Sequence, residues 1–288
     1  MKLLDQVRRH MRTAHYAIRT EKTYLRWIKR FLVHQKDLSG GWRHPSEMGS
    51  DEVNEFLTWL AVDGKVSAST QTQALCALLM LFRDVLDNDN LSIDAIRARH
   101  PEHIPVVLSQ AEVSRVIREI PLGKSRLIAG LQYGSGLRLL ESCRLRVKDI
   151  DFDRRQVIVR DGKGAKDRAV PLPRRLEQGL RRQIESCRVQ HCEDVGMGAG
   201  WVWLPNGLAK KYKEAGRAFH WQYVFPGRNL TRDPRSDEES TGMLLGLGRH
   251  HIHESTVQKA VKAAMERADV EKPACQQRAM RVIQRLNR

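Results

Sequence analysis

The sequence predicts a mainly α-helical protein with a small β-sheet, divided into two domains. Three observations carry this. Apolar residues recur at spacings of three and four through most of the first 87 positions. A proline-bearing stretch with little periodicity, His100-Pro-Glu-His-Ile-Pro105, then interrupts the pattern. Beyond it, two short β-branched runs, Gln156–Arg160 and Arg168–Leu172, flank a glycine-lysine-glycine turn, the pattern of a hairpin set among helices. We therefore expect a helical domain over 1–100, a linker over 101–107 and an α+β domain over 108–288.

In the first domain, residues 1–30 hold nine Lys and Arg against only Asp5 and Glu21. A helix is expected from Thr20 as N-cap, with Glu21 in the first turn where the helix dipole favours an acid. Tyr24, Trp27, Ile28, Phe31 and Leu32 form its apolar face. Lys22, Arg26, Lys29 and Arg30 decorate the rest, suited to phosphate or simply to solvent. Ser50 is expected to cap a second helix with Val53, Phe56, Leu57 and Leu60 inward. A third spans Ser69 to Asp87, apolar from Ala74 to Phe82 and hence central.

The second domain opens with Ser109 and Glu112 in capping-box spacing, and Val113, Val116, Ile117 and Ile120 mark a buried face. Gly134-Ser-Gly136 breaks the chain before a helix start with Leu137, Leu139, Leu140 and Leu145. That start carries Arg138 and Glu141, which at i, i+3 also suit an ordinary surface ion pair. The hairpin follows, its turn Gly162-Lys-Gly-Ala-Lys-Asp-Arg168 suited to glycines at positive φ. A helix is expected over Arg174 to Val189, then a glycine-rich break at Gly196–Gly200. Residues 201–249 hold three of the six tryptophans, Trp201, Trp203 and Trp221. A last helix carries Val257, Val261, Ala264 and Met265 and ends near Ala268.

Composition bounds the partners. Net charge is +16 with a pI near 10, which points to a polyanion. Residues 1–100 contribute 15 basic and 12 acidic side chains and the remainder 35 and 22, so the second domain carries +13. Nucleic acid is the simplest partner; an anionic membrane surface is the competitor, and no run of 18 apolar residues spans a bilayer. The start has no apolar core of a signal peptide. Five cysteines, Cys76, Cys143, Cys187, Cys192 and Cys275, lack zinc-ribbon spacing, and a reducing cytoplasm fits. Neither Cys187–Cys192 with His191, nor His251 and His253 with Glu254, has the further spaced ligands a metal site needs.

The arginine motif and the lysine turn, in this order and separation, resemble the tyrosine recombinase (phage integrase) family. The resemblance implies a helical, SAM-like core-binding domain ahead of a catalytic domain. It implies that Arg138 grips the scissile phosphate of DNA, that Glu141 supports the site and that Lys163 protonates the leaving 5′-oxygen, with Lys166 the second choice. Lys166 and Arg168 are then expected on DNA with Lys22, Arg26, Lys29 and Arg30. Leu204–Tyr212, Trp221–Pro226, Asp233–Ser236 and Arg249–Ser255 resemble the extra segment of integron integrases. That likeness implies a folded single-stranded recombination site as partner beside double-stranded attachment DNA, with aromatics such as Trp221 stacking extruded bases at roughly 1–3 kcal/mol each. A tetramer on two duplexes is likewise implied, in the bacterial cytoplasm at the nucleoid. No metal and no cofactor is required, because bond energy is kept in a phosphotyrosine linkage.

The family's reaction also uses a His-x-x-Arg box and a later nucleophilic tyrosine. None of the eleven histidines has Arg three residues on, and the last tyrosine is Tyr223. After Ala274 the chain reads Cys275 to Arg288, as a frameshift or early stop would leave it. The expectation is a chain of recombinase ancestry that does not complete strand cleavage. A non-catalytic DNA-binding remnant and a poorly folded product are the alternatives.

Overall fold

The computed structural model describes residues 2–88, 108–160, 166–204, 208–212, 214–231 and 247–270. The chain divides into two compact units, Met1–His103 and Ile104–Arg288. The expected linker at 101–107, Lys163 in the hairpin turn, Asp233–Ser236 and the tail from 271 lie outside the described residues.

The first unit is a helical bundle. Helix α1 (Leu3–Thr13) buries Val7 and Met11. Charge counting alone passed over it, although Leu3, Leu4, Val7 and Met11 already repeat at helical spacing. Helix α2 (Ile18–Ser39) buries Trp27, Ile28 and Phe31, with Tyr24 and Leu32 packed at the edge of the same core. It starts two residues before Thr20. Ala17 is the N-cap, and the Glu21 amide already donates to the Ala17 carbonyl at 3.0 Å, so packing sets the start rather than a side-chain cap. Gly40, left-handed at φ 71°, ends it.

Helix α3 (Ser50–Val62) begins at Ser50 with Gly49 as its cap, and the Glu52 carboxylate accepts from the Gly49 amide at 2.7 Å. Val53, Phe56, Leu57 and Leu60 are all buried. Helix α4 (Ala68–Leu79) runs on into a π turn over Met80–Val85, and Asp87 at φ 54° stops the chain there. Ala74, Ala77, Leu78, Leu81 and Phe82 are wholly buried, so this helix is central as expected. Phe31 meets Phe56 and Phe82 edge-on at 5.4 and 6.1 Å, the arrangement ring quadrupoles favour.

The second unit sets helices against a three-stranded antiparallel meander. Helix α5 (Gln110–Glu119) starts with the expected box: the Ser109 amide donates to Glu112 at 2.6 Å and the Glu112 amide to the Ser109 hydroxyl at 3.2 Å. Helix α6 (Lys124–Ser135) ends at Gly136, and the short α7 (Leu139–Cys143) follows after one turn of chain. Strands β1 (Ile150–Asp151), β2 (Gln156–Val159) and β3 (Arg168–Pro171) pair in order, with Val159 opposite Arg168 and Gln156 opposite Pro171. Strand β1 is too short for a sequence period to announce it.

Helix α8 (Arg174–Gly196) runs seven residues past its expected end, to the glycine break itself. Beyond it the described residues form mainly turns and isolated bridges, with the short α9 (Leu208–Lys211), before α10 (Glu254–Arg267) returns to the core with Val257, Val261, Ala264 and Met265 buried. One core of Leu108, Ile128, Leu131, Leu137, Val157, Leu180, Phe225 and Val257 joins α5 to α8, the sheet and α10.

Candidate active site and nucleic-acid interface

Two glycines shape the arginine turn. Gly136 closes α6 in the left-handed region at φ 65°, where a side chain is strained. Gly134 needs bare backbone for another reason, since a Cβ there would fall on the Pro173 ring at the head of α8. Leu137 then drops wholly into the core, which leaves Arg138 at the surface.

Arg138 is the N-cap of α7, extended at φ −73°, ψ 156°, and not a residue within the helix as its sequence suggested. Glu141, at the third helical position, reaches back to it. Its carboxylate accepts from the Arg138 amide at 2.8 Å and from the Arg138 guanidinium at 2.6 Å. The same carboxylate takes Arg168 of β3 in a bidentate fork, at 3.1 and 2.6 Å. Glu141 is therefore the hub of two arginines, with its side chain 10% exposed against 49% for Arg138 and 35% for Arg168. Burial alone would raise its pKa. The hydrogen bonds from Arg168, the Arg138 amide and the Arg138 side chain outweigh it and hold the carboxyl below the usual range.

The i, i+3 ion pair and the candidate catalytic pair are thus one feature. Arg168, expected on DNA alone, also has an internal partner 27 residues away in sequence, which no local pattern could announce. Lys166 and Asp167 are exposed on the β3 side of the hairpin.

A second polar group lies at the start of the sheet. Arg146 is buried. Its guanidinium donates to the main-chain oxygens of Trp221 at 2.7 Å and Trp203 at 2.8 Å, and it lies over the Trp221 and Tyr223 rings. Its amide donates to Asp149 Oδ2 at 3.0 Å, while Asp149 Oδ1 accepts from Arg160 Nε at 2.8 Å. Lys148 Nζ stands 2.8 Å from the centroid of the Trp221 ring. Burial, followed by the Arg160 charge, lowers the Lys148 ammonium to about 8, while Asp149 pulls the other way. Trp221, expected to stack on bases, is half-buried with Lys148 on its face, and Trp203 is 45% exposed. Sequence reading missed Arg146, Lys148, Asp149 and Arg160; the Arg-x-x-Asp spacing was the only local hint.

Asp194 near the end of α8 and Arg249 form a bidentate buried pair at 2.7 and 2.9 Å, and Arg249 also donates to the Arg228 carbonyl. His251 is buried against Tyr223 and accepts from Arg144 at 3.4 Å, and burial first among its causes lowers it to about 4. His253 instead caps α10, accepting from the Ser255 amide at 3.2 Å. The two histidines therefore do separate work, and among the described residues no group of three or more His, Cys, Asp or Glu could hold a metal ion.

In the first unit Lys22, Arg26, Lys29 and Arg30 are all exposed along α2. The Arg30 guanidinium lies over Trp27 at 5.4 Å and Trp59 at 5.1 Å, which fixes its stem while its charge faces water. No helix among the described residues is long and apolar enough to cross a membrane.

Comparison with known proteins follows the same division. Residues 3–90 match the family model for the phage integrase N-terminal SAM-like domain, and residues 107–283 match that of the phage integrase family. An integrase/recombinase of Escherichia coli and one of Pseudomonas aeruginosa are each 42% identical over 275 residues, 95% of this chain and 77% of the relative. Tyrosine recombinase XerA of Pyrococcus furiosus is 42% identical over 200 residues, 63% of this chain and 69% of that protein. Among solved structures, the Tn1549 transposon integrase in complex with transposon right end DNA aligns with a TM-score of 0.55 at 16% identity, covering 99% of this chain and 84% of that one. A lambda integrase dimer bound to a COC′ core site gives 0.52 at 14%, covering 99% and 83%. At such identities the likeness is one of fold.

Proposed function

The chain belongs to the phage integrase family of site-specific tyrosine recombinases, an N-terminal SAM-like domain followed by the catalytic domain, and from that premise we propose that these 288 residues grip double-stranded recombination-site DNA and do not by themselves complete strand cleavage. The observation that carries the reading is the Glu141 hub. One buried carboxylate fixes two partly exposed guanidiniums, Arg138 and Arg168, at the mouth of the hairpin. Guanidinium forks match phosphate oxygens, and a pair held in advance needs no rearrangement as charge builds on the phosphate.

In this reading Arg138 takes the scissile phosphate, and Glu141 aims it. Lys163 is the proton donor to the leaving 5′-oxygen, with Lys166 the second choice. Lys22, Arg26, Lys29 and Arg30 hold backbone phosphates from the exposed side of α2, and Lys166 and Arg168 hold others beside the hairpin. Trp203 and Trp221 support the finer reading, an integron-type enzyme whose segment at about 201–249 meets unpaired bases of a folded single strand. Assembly as a tetramer on two duplexes belongs to the same proposal.

Cleavage in this family needs a tyrosine phenolate to attack the phosphodiester, giving a 3′-phosphotyrosine, with a His-x-x-Arg box beside it. These 288 residues contain no such box. Tyr223 is 5% exposed and packed against His250 and His251, out of reach of a phosphate. Tyr212 is exposed but lies outside the arginine turn and hairpin, in α9's following residue. The polypeptide then occupies recombination sites and competes with an active relative.

The test is incubation with a labelled, nicked recombination-site oligonucleotide, run in parallel on denaturing and native gels. Salt-sensitive retention on the native gel with no covalent band is the expected result. A covalent protein–DNA band overturns the inactivity, and Tyr212 and Tyr223 are then the first positions to mutate. No retention at any salt overturns the DNA-binding reading itself.

A further inference from the structure

The cations around Asp149 outnumber the acids. Arg146, Lys148 and Arg160 sit close enough for both arginine charges to depress Lys148. Asp149 is the buried carboxylate among them, and both its oxygens are in use, Oδ2 on the Arg146 amide and Oδ1 on Arg160 Nε. Arg146 spends its guanidinium on two carbonyls inside the fold. Arg160 is 45% exposed, with Asp167 a loose second acid at 3.5 Å. Lys148 has the face of Trp221 and, among the described residues, no carboxylate paired with its Nζ; Asp149 acts on it only as a neighbouring charge.

An ammonium half out of water over an indole gains less than a direct ion pair supplies. Such a group is a built place for an outside anion. Trp221 holds Nζ from beneath at 2.8 Å, and Arg160 brings a second exposed cation from the end of β2. On the reading of the protein as a DNA binder, we propose that Lys148 and Arg160, backed by Trp221, form a separate subsite for one backbone phosphate of the nucleic acid. It is distinct from the Arg138–Glu141–Arg168 cluster. It lies where the sheet meets the 201–223 segment, so the phosphate it takes flanks whatever that segment contacts.

The test measures binding of the full chain to fluorescein-labelled DNA by anisotropy, as a function of salt, in two arms: a mixed-sequence duplex and an unpaired single strand. Each neutralised phosphate contributes a slope of about 0.9 in log K against log salt for duplex and about 0.7 for single strands. Lys148→Gln is expected to lower the slope by about one phosphate's worth in one or both arms, and the arm affected identifies the source of the phosphate. Lys148→Arg is expected to keep it.

Wild-type binding supplies a check that needs no variant. The slope falls as pH rises from 7 to 9, through the lysine's value of about 8, while Lys148→Arg stays flat. The groups facing Lys148 are Arg146, Asp149, Arg160 and the Trp221 indole.

An unchanged slope in both arms for Lys148→Gln, with or without a lower melting temperature, overturns the subsite and leaves Lys148 a packing residue for Trp221. If wild type itself binds neither DNA in a salt-dependent way, the functional reading above falls instead.

Discussion

Glu141→Gln separates the hub from its surroundings with almost no change of shape. The carboxylate accepts three guanidinium hydrogen bonds and one amide hydrogen bond. The amide keeps one acceptor oxygen, turns the other into a donor facing arginine, and removes the charge. A charge-assisted hydrogen bond is worth about 1.5–3 kcal/mol when its partner stays buried. Here Arg138 and Arg168 are 49% and 35% exposed, so water recovers much of each loss. The net cost at neutral pH is about 2–3 kcal/mol. For a unit of this size that lowers the melting temperature by about 4–10 °C.

The pH dependence is the sharper test. Glu141 has its pKa depressed in the folded state. Its contribution is therefore full above the unfolded value of about 4.3 and lost as pH falls through the lower folded value. Melting followed by circular dichroism from pH 7 downward is expected to show the wild-type advantage shrinking in acid. A variant that melts with wild type at pH 7, or a gap that stays constant into acid, refutes the clamp.

Three further outcomes follow from the same geometry. Asp194→Asn leaves Arg249, 14% exposed, without its bidentate acid, and is expected to cost about 3–5 kcal/mol in chemical denaturation. Gly134→Ala drives a methyl into the Pro173 ring, so a loss of about 1–3 kcal/mol is expected by the same method. Thiol labelling read by peptide mass spectrometry is expected to modify exposed Cys76 and Cys192 in the native protein. Cys187 is buried, and Cys143 is buried with its thiol pushed up to about 12, so both label only after unfolding.

What the sequence disclosed is what is local. The Ser109–Glu112 box needs only four residues, and the apolar faces of α2, α3 and α10 need only their own period. Boundaries set by packing were less visible. The start of α2 at Ile18 ignores the better capping residue at Thr20, and the end of α8 waits for Gly196 because nothing before it breaks the helix. The pairing of Arg138 with Glu141 was legible from their spacing. The longer-range wiring was not. Arg168 meets Glu141 only because β3 returns beside the arginine turn, and Lys148 meets Trp221 across 73 positions of chain. Such pairings are set by topology, and composition is blind to them.

The hold that Arg146 keeps on the 201–223 segment has one more consequence. Its guanidinium binds carbonyl oxygens of residues 203 and 221, groups that every amino acid carries. That part of the mooring depends on the path of the segment and not on its letters. A side chain at 203 can be exchanged for another of similar bulk while these two hydrogen bonds stay. A domain built this way can change side chains along that segment, residue by residue, without altering how its main chain is attached.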